Sequence, residues 1–147
     1  MNQRQKSTIL NLVSVILLTA VLVGGVGYWK NHVNKSESIR VMKLLSEIVQ
    51  RYRQANSRAL PAESYINRQK EAIGDARLGI VQYRAQWIDF NAGMDTILAY
   101  SYKDYGLAAG KGYIVMRLDY TVEWMGQAEF EELFTAQRNQ AEPKLSK

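Results

Sequence analysis

The chain contains no cysteine, a single histidine, two prolines and three phenylalanines in 147 residues. The missing cysteine excludes disulfides, thiolate zinc sites, iron–sulfur ligation and thiol catalysis together. With His32 as the only imidazole, nucleophilic triads and zinc sites have no parts to assemble from. His32 follows an apolar segment by three residues and has no acidic neighbour closer than Glu37, so it is expected to be an interfacial polar residue. A dense basic run is also absent. The net charge of +5 is spread along the chain, without the basic stripe and motif that nucleic-acid recognition would need. Solubility and attraction to anionic lipid heads account for such a charge, and no nucleic-acid partner is expected.

What is present begins with an uncharged stretch. Ser7 to Trp29 carries no ionisable charge and is dominated by Ile, Leu and Val. Hydrocarbon about 30 Å thick needs roughly 20 such residues in a helix. Tyr28 and Trp29 stand at one end, as aromatic belts do at the lipid–water boundary, and Arg4 and Lys6 close the other. A cleaved signal peptide is the rival reading. The stretch is long for one, and bulky Tyr28 and Trp29 directly follow Gly24, Gly25 and Gly27 where a small-residue cleavage site would be needed. The expectation is a retained single-pass anchor in the inner (cytoplasmic) membrane. Its short basic N-tail favours a domain on the periplasmic or extracellular side, although Lys30, Lys35, Arg40 and Lys43 flank that side too.

The pattern divides the chain into a basic N-tail (1–6), a transmembrane helix (7–29), a juxtamembrane linker (30–37), an α+β domain (38–138) and a flexible tail (139–147). About 118 residues follow the apolar stretch, enough for one ordinary domain. Ile39, Val41, Met42, Leu44, Leu45, Ile48, Val49 and Tyr52 recur at steps of three and four, an amphipathic helix over about Ser38 to Asn56. No Pro or Gly lies in 31–38, so this helix and the apolar one could be a single bent helix. Pro61 and Gly74 bracket a second helix over Ala62 to Ile73. Beyond Arg77, strands are expected over Leu78 to Phe90, Thr96 to Tyr105 and Ile114 to Trp124, punctuated by Asn91-Ala92-Gly93 and by the loop from Gly106 to Gly112. The last strand alternates apolar and polar residues, so one of its faces should be wet. Residues 127–137 suit both a strand, by the parity of Phe130 and Phe134, and a helix, through Phe130, Leu133, Phe134 and Gln137; parity assigns a strand. The fold expected is α+β, with an N-terminal transmembrane helix followed by helices packed on an antiparallel β-meander.

Candidate chemistry is sparse. Glu129, Glu131 and Glu132 are the densest acidic group and suit a solvated face. The loop Gly106-Leu107-Ala108-Ala109-Gly110-Lys111-Gly112 is one residue short of a phosphate-binding loop, has Gly112 where Ser or Thr would ligate magnesium, and leads into a strand. No catalytic residue, metal site or cofactor is assigned. Tyr100, Tyr102 and Tyr105 could form a partner surface or pack across strands. In the apolar helix, Asn11, Ser14 and Leu18 lie at steps of three and four and suggest a contact with another membrane helix; Ser and Thr bonding to their own backbone is the equal alternative.

The stretch from Ser7 to Leu22 resembles the N-terminal helix of type IV pilins and pseudopilins. Met1 to Lys6 takes the place of the basic leader, and Thr8, Leu12, Val13, Val15, Ile16 and Ala20 match or approximate the family pattern. The resemblance implies an apolar helix continuing into an amphipathic one packed on an antiparallel sheet. Lys6 stands where the family leader ends in glycine, Asn11 where the family has glutamate, and the C-terminal cysteine pair of many pilins is missing. These departures imply a divergent minor pilin or pilin-like protein rather than a main filament subunit. The function expected is a non-enzymatic, membrane-anchored structural or assembly subunit whose partners are the bilayer and other envelope proteins, copies of itself included. A membrane-tethered binding module, with a pocket lined by Trp87, Tyr100 and Trp124 as in cystatin-like or nuclear-transport-factor-like domains, is the second expectation.

Overall fold

The computed structural model describes residues 3–106 and 110–143, with side chains throughout except at 3–11 and 75. The apolar stretch, the expected linker and the amphipathic helix form one uninterrupted helix, α1 (Gln3–Ala55). With no Pro or Gly between Asn31 and Ser38, nothing interrupts its backbone ladder there. It is followed by α2 (Glu63–Ile73), strands β1 (Gln82–Tyr83), β2 (Ile97–Asp104), β3 (Lys111–Arg117) and β4 (Val122–Gly126), and a last helix, α3 (Gln127–Gln137). The four strands form an antiparallel meander in the order β1-β2-β3-β4, so the chain has the α+β fold expected.

Two cores lie on the two faces of the sheet. On one, Val41, Met42, Leu45 and Val49 of α1 pack on Leu98, Ile114 and Met116, with Ile66 of α2 alongside. These positions recur at three- and four-residue steps, and each side chain contributes roughly 1.5–3 kcal/mol on full burial. On the other face, Phe130 and Phe134 of α3 cover Tyr100, Tyr113, Val115 and Met125. The Phe130 and Tyr113 rings stack at 3.9 Å. The face of β3 expected to be wet is therefore covered by α3, and Val115 is buried.

Three further sequence expectations are corrected. Residues 127–137 are helical. Phe130 and Phe134, four apart, satisfy both a strand's parity and a helical stripe, and the helical solution lets both rings meet the sheet. The stretch Leu78 to Phe90 contributes only the two residues of β1 and a short 3₁₀ turn (Ala85–Trp87). Gly79 adopts φ 63°, which breaks strand geometry at the start of this stretch. Finally, 114–124 is two strands. Arg117 and Thr121 close a tight turn, with Tyr120 N–H donating to the Arg117 carbonyl at 3.0 Å and Tyr120 at φ 71°. A three-residue hairpin loop commonly has glycine at such a left-handed position; here α1 holds the tyrosine instead. Ser46 Oγ donates to the Tyr120 carbonyl at 2.9 Å, and the Arg53 guanidinium lies 5.5 Å from the ring centroid.

Residues 139–143, expected to belong to a free tail, fold back onto the domain. Arg84, buried next to β1, donates to both Glu142 carboxylate oxygens at 2.6 and 2.9 Å. It also donates to the Ile97 and Gln137 carbonyls, and its guanidinium lies 4.9 Å from the Phe134 ring centroid. Both partners are almost fully buried, so losing one leaves the other charge uncompensated. We expect Glu142→Ala to destabilise the domain by about 3–5 kcal/mol. The double change Arg84→Met with Glu142→Leu should recover most of that loss; thermal unfolding of the purified chain measures both.

The β3–β4 turn carries a pH-dependent element. Burial tends to raise the Asp119 pKa, but it is outweighed by bonds from the Thr121 hydroxyl and amide and by the Arg117 charge, so the net shift is downward. A carboxyl lowered on folding contributes stability that is present above its unfolded pKa and is lost as pH falls through the lowered folded value. The urea midpoint should therefore drop on acidification below the ordinary carboxylate range. Asp119→Asn should flatten part of that fall, which paired titrations of the two chains would reveal.

Candidate functional site at the helix–domain junction

The described part of α1 changes character within two turns. From Leu12 to Lys30 every side chain is exposed; from Ser38 onward one face is buried in the domain. The described residues hold one helix long and apolar enough to cross a membrane, and its most apolar window, of mean hydropathy 2.1, is 0% buried. Between these two regimes lies the junction.

Polar bonds fix the junction from both sides. Asn31 Nδ2 donates to the Tyr105 carbonyl at 2.8 Å. Ser38 Oγ lies 2.8 Å from the Arg77 carbonyl and 2.9 Å from that of Asn34. Arg77 Nη1 donates to Asn34 Oδ1 at 2.6 Å, and Lys103 Nζ donates to the Arg77 carbonyl at 2.7 Å. Burial lowers the pKa of Lys103 and of Lys35. Lys35 Nζ sits 4.3 Å from the Trp124 ring centroid, a cation–π contact, and Tyr105 packs against the same indole at 5.5 Å. The Tyr105 hydroxyl is buried and meets no hydrogen-bond partner among the described residues; burial raises its pKa, against a smaller opposing effect of the nearby Ser38 hydroxyl.

Trp124 reaches this position because Gly112 lies beneath it. A Cβ at residue 112 would come within 2.7 Å of the indole and run into the Met125 carbonyl. On the exposed surface of α1, a groove of about 750 Å³ runs along the helix. Leu22, Gly25, Val26 and Trp29 line its length, and Lys30 and Arg77 stand at its domain end.

The residues singled out by sequence do not converge here. Ser14 and Leu18 are exposed on α1, while the Asn11 side chain lies outside the described residues. Thr19 donates to the Val15 carbonyl of its own helix at 2.8 Å. Tyr28 and Trp29 are exposed next to the groove. Tyr100, Tyr102 and Tyr105 do not share a surface. Tyr100 is buried under α3, Tyr102 is exposed at the rim of the same face, and Tyr105 is buried on the opposite face against α1. Burial, with the Glu142 charge second, pushes the Tyr100 phenol up to about 12. Trp87, Tyr100 and Trp124 likewise do not come together in either cavity described among these residues. Trp87 and Tyr100 border a space of about 150 Å³ beside Arg84 and Glu142, and Trp124 packs with the α1-side core. His32, Glu129 and Glu132 are exposed, and Glu131 accepts a bond from Gln127. Residues 107–109 of the glycine-rich loop lie outside the described residues. Among the described residues no three metal-ligating side chains converge.

Asn31, Asn34, Lys35 and Arg77 were not legible as a group. Asn31 bonds Tyr105 across 74 residues and Asn34 bonds Arg77 across 43, and no spacing rule reports such pairs. In comparisons with known proteins, no family model, no curated protein and no solved structure matches the chain.

Gly112 offers a direct test of how the junction is packed. Gly112→Ala should displace Trp124 and cost about 1–3 kcal/mol of stability. A shift of the tryptophan emission together with a lower unfolding temperature is the expected pair of readouts.

Proposed function

We propose that the chain is a non-enzymatic, single-pass membrane-anchored structural or assembly subunit of an envelope complex, of the minor pilin-like kind. Its domain would stand on the outer side of the cytoplasmic membrane. One observation carries this reading: a single helix runs from an apolar segment whose described side chains, from Leu12 on, are all exposed into the core of an antiparallel-sheet domain. An exposed apolar surface of that extent needs a cover, and a bilayer supplies one of matching length. The arrangement also has the order of elements that the pilin resemblance implies. A loosely tethered domain could move freely over a membrane. A domain continuous with its anchor holds a set height and orientation, which suits assembly into a larger complex. Its partners on this reading are the lipid bilayer and other envelope proteins, further copies of the chain included, with the exposed Ser14 and Leu18 face available to a neighbouring helix.

Topology is the decisive test, and the lack of native cysteine removes background labelling. Gln3→Cys and Phe90→Cys would be treated separately in intact cells with a membrane-impermeant maleimide; Phe90 is 94% exposed. The reading expects Phe90→Cys to react at once and Gln3→Cys only after the membrane is opened. The reverse pattern would place the domain in the cytoplasm and remove the envelope assignment.

A further inference from the structure

The groove along α1 joins two kinds of surface that a phospholipid also joins. Leu22, Val26 and Trp29 follow one another at helical steps of three and four, so they form a continuous apolar strip. Gly25 leaves a dent in this strip, with open space where a Cβ would project. From Leu22 to Lys30 the helix rises roughly 12 Å, comparable with much of one acyl chain in half a bilayer. At the domain end the lining turns cationic. Arg77 of the domain lines the groove together with Lys30 of the helix. Only Nη1 of its guanidinium is engaged, by Asn34. Nε and Nη2 make no bond, and neither Arg77 nor Lys30 has a carboxylate within ion-pairing distance among the described residues. Paired donors with this planar geometry suit phosphate oxygens. Two cations without a counterion among the described residues, placed at the end of an apolar strip beside Trp29, complement a negative headgroup above a hydrocarbon tail.

We propose that this groove binds one anionic phospholipid of the surrounding membrane, with its phosphate held by Lys30 and Arg77 and one acyl chain lying along Leu22, Val26 and Trp29. The proposal rests on the membrane-anchor reading. It goes further in assigning a lipid class and a residue of the domain, Arg77, as headgroup ligand. Bound in this way, the lipid would tie the domain to the bilayer at a second point besides α1 and fix the side of the domain that faces the membrane.

The full chain would be reconstituted in phosphatidylcholine nanodiscs containing a minority of phosphatidylglycerol. Bromine would be placed on the acyl chains of one lipid or the other at equal mole fraction. Quenching of Trp29 is isolated by subtracting the signal of a Trp29→Phe variant. Brominated phosphatidylglycerol is expected to quench Trp29 as though enriched about five- to thirty-fold over brominated phosphatidylcholine, at about 1 kcal/mol for each cation. Lys30→Gln with Arg77→Gln should abolish the preference, and Lys30→Arg with Arg77→Lys should retain it. Circular dichroism of each variant, unchanged, confirms that the domain is intact. Equal quenching by both lipids in the native chain would overturn the headgroup site while leaving the anchor in place. No quenching by either would overturn the anchor and the lipid site together.

Discussion

One hydrogen-bonded backbone, from Gln3 to Ala55, has to serve two different surroundings. In its first half the helix buries none of its described side chains in protein; in its second half it supplies a face of the domain core. A helix satisfies its own backbone donors and acceptors internally, which is why it can leave one environment for the other without a break. The cost of the change falls on side chains. Asn31, Asn34 and Ser38 meet it by bonding to Tyr105 and Arg77 from the domain. Everything beyond depends on that registration, since α1 also carries Ser46 and Arg53, which hold the β3–β4 turn.

The second organising feature lies on the other side of the sheet. Arg84 and Glu142 are 58 residues apart, and together they bring the C-terminal segment onto the domain. A buried ion pair of this kind adds less net stability than its short distances suggest, because both charges lose their hydration. Its stronger effect is on specificity. The guanidinium binds the Ile97 and Gln137 carbonyls as well as Glu142, so the end of α3, the start of β2 and the returning segment are fixed to a single side chain.

Periodicity made the long elements legible. The three- and four-residue steps of Ile39 to Tyr52 and the apolar stretch before them predicted the two ends of α1, with residues 30–37 expected as a linker where the helix runs on, and the β-branched and aromatic run of Thr96 to Tyr105 predicted β2. The failures have local causes. Phe130 and Phe134 fit two periods at once. The β3–β4 turn places Tyr120 at a left-handed position, so the usual glycine signal is missing. With residues 127–137 as a strand, nothing would cover the second face of the sheet and Val115 would be wet; as a helix they bury it. The tyrosines show what parity can and cannot do. An even spacing put Tyr100 and Tyr102 on one face, and the odd spacing to Tyr105 puts that residue on the other. Which face is core depends on α1 and α3, and a strand's own pattern is silent on that. The junction was the least legible part, because its bonds join residues far apart in the chain.

The uninterrupted α1 also gives the molecule an angular phase. Each residue added to an α-helix turns everything beyond it by about 100°. With no loop between Trp29 and Ser38 to absorb such a turn, the azimuth of the Leu22, Val26 and Trp29 strip is geared to that of the sheet. Adding or removing one residue in this interval would swing the strip about a quarter-turn out of line with Arg77 while leaving composition and hydropathy almost unchanged. The length of the segment between Trp29 and Ser38 is therefore constrained as a rotation as well as a distance, and a chain can keep every residue type there and still lose its alignment.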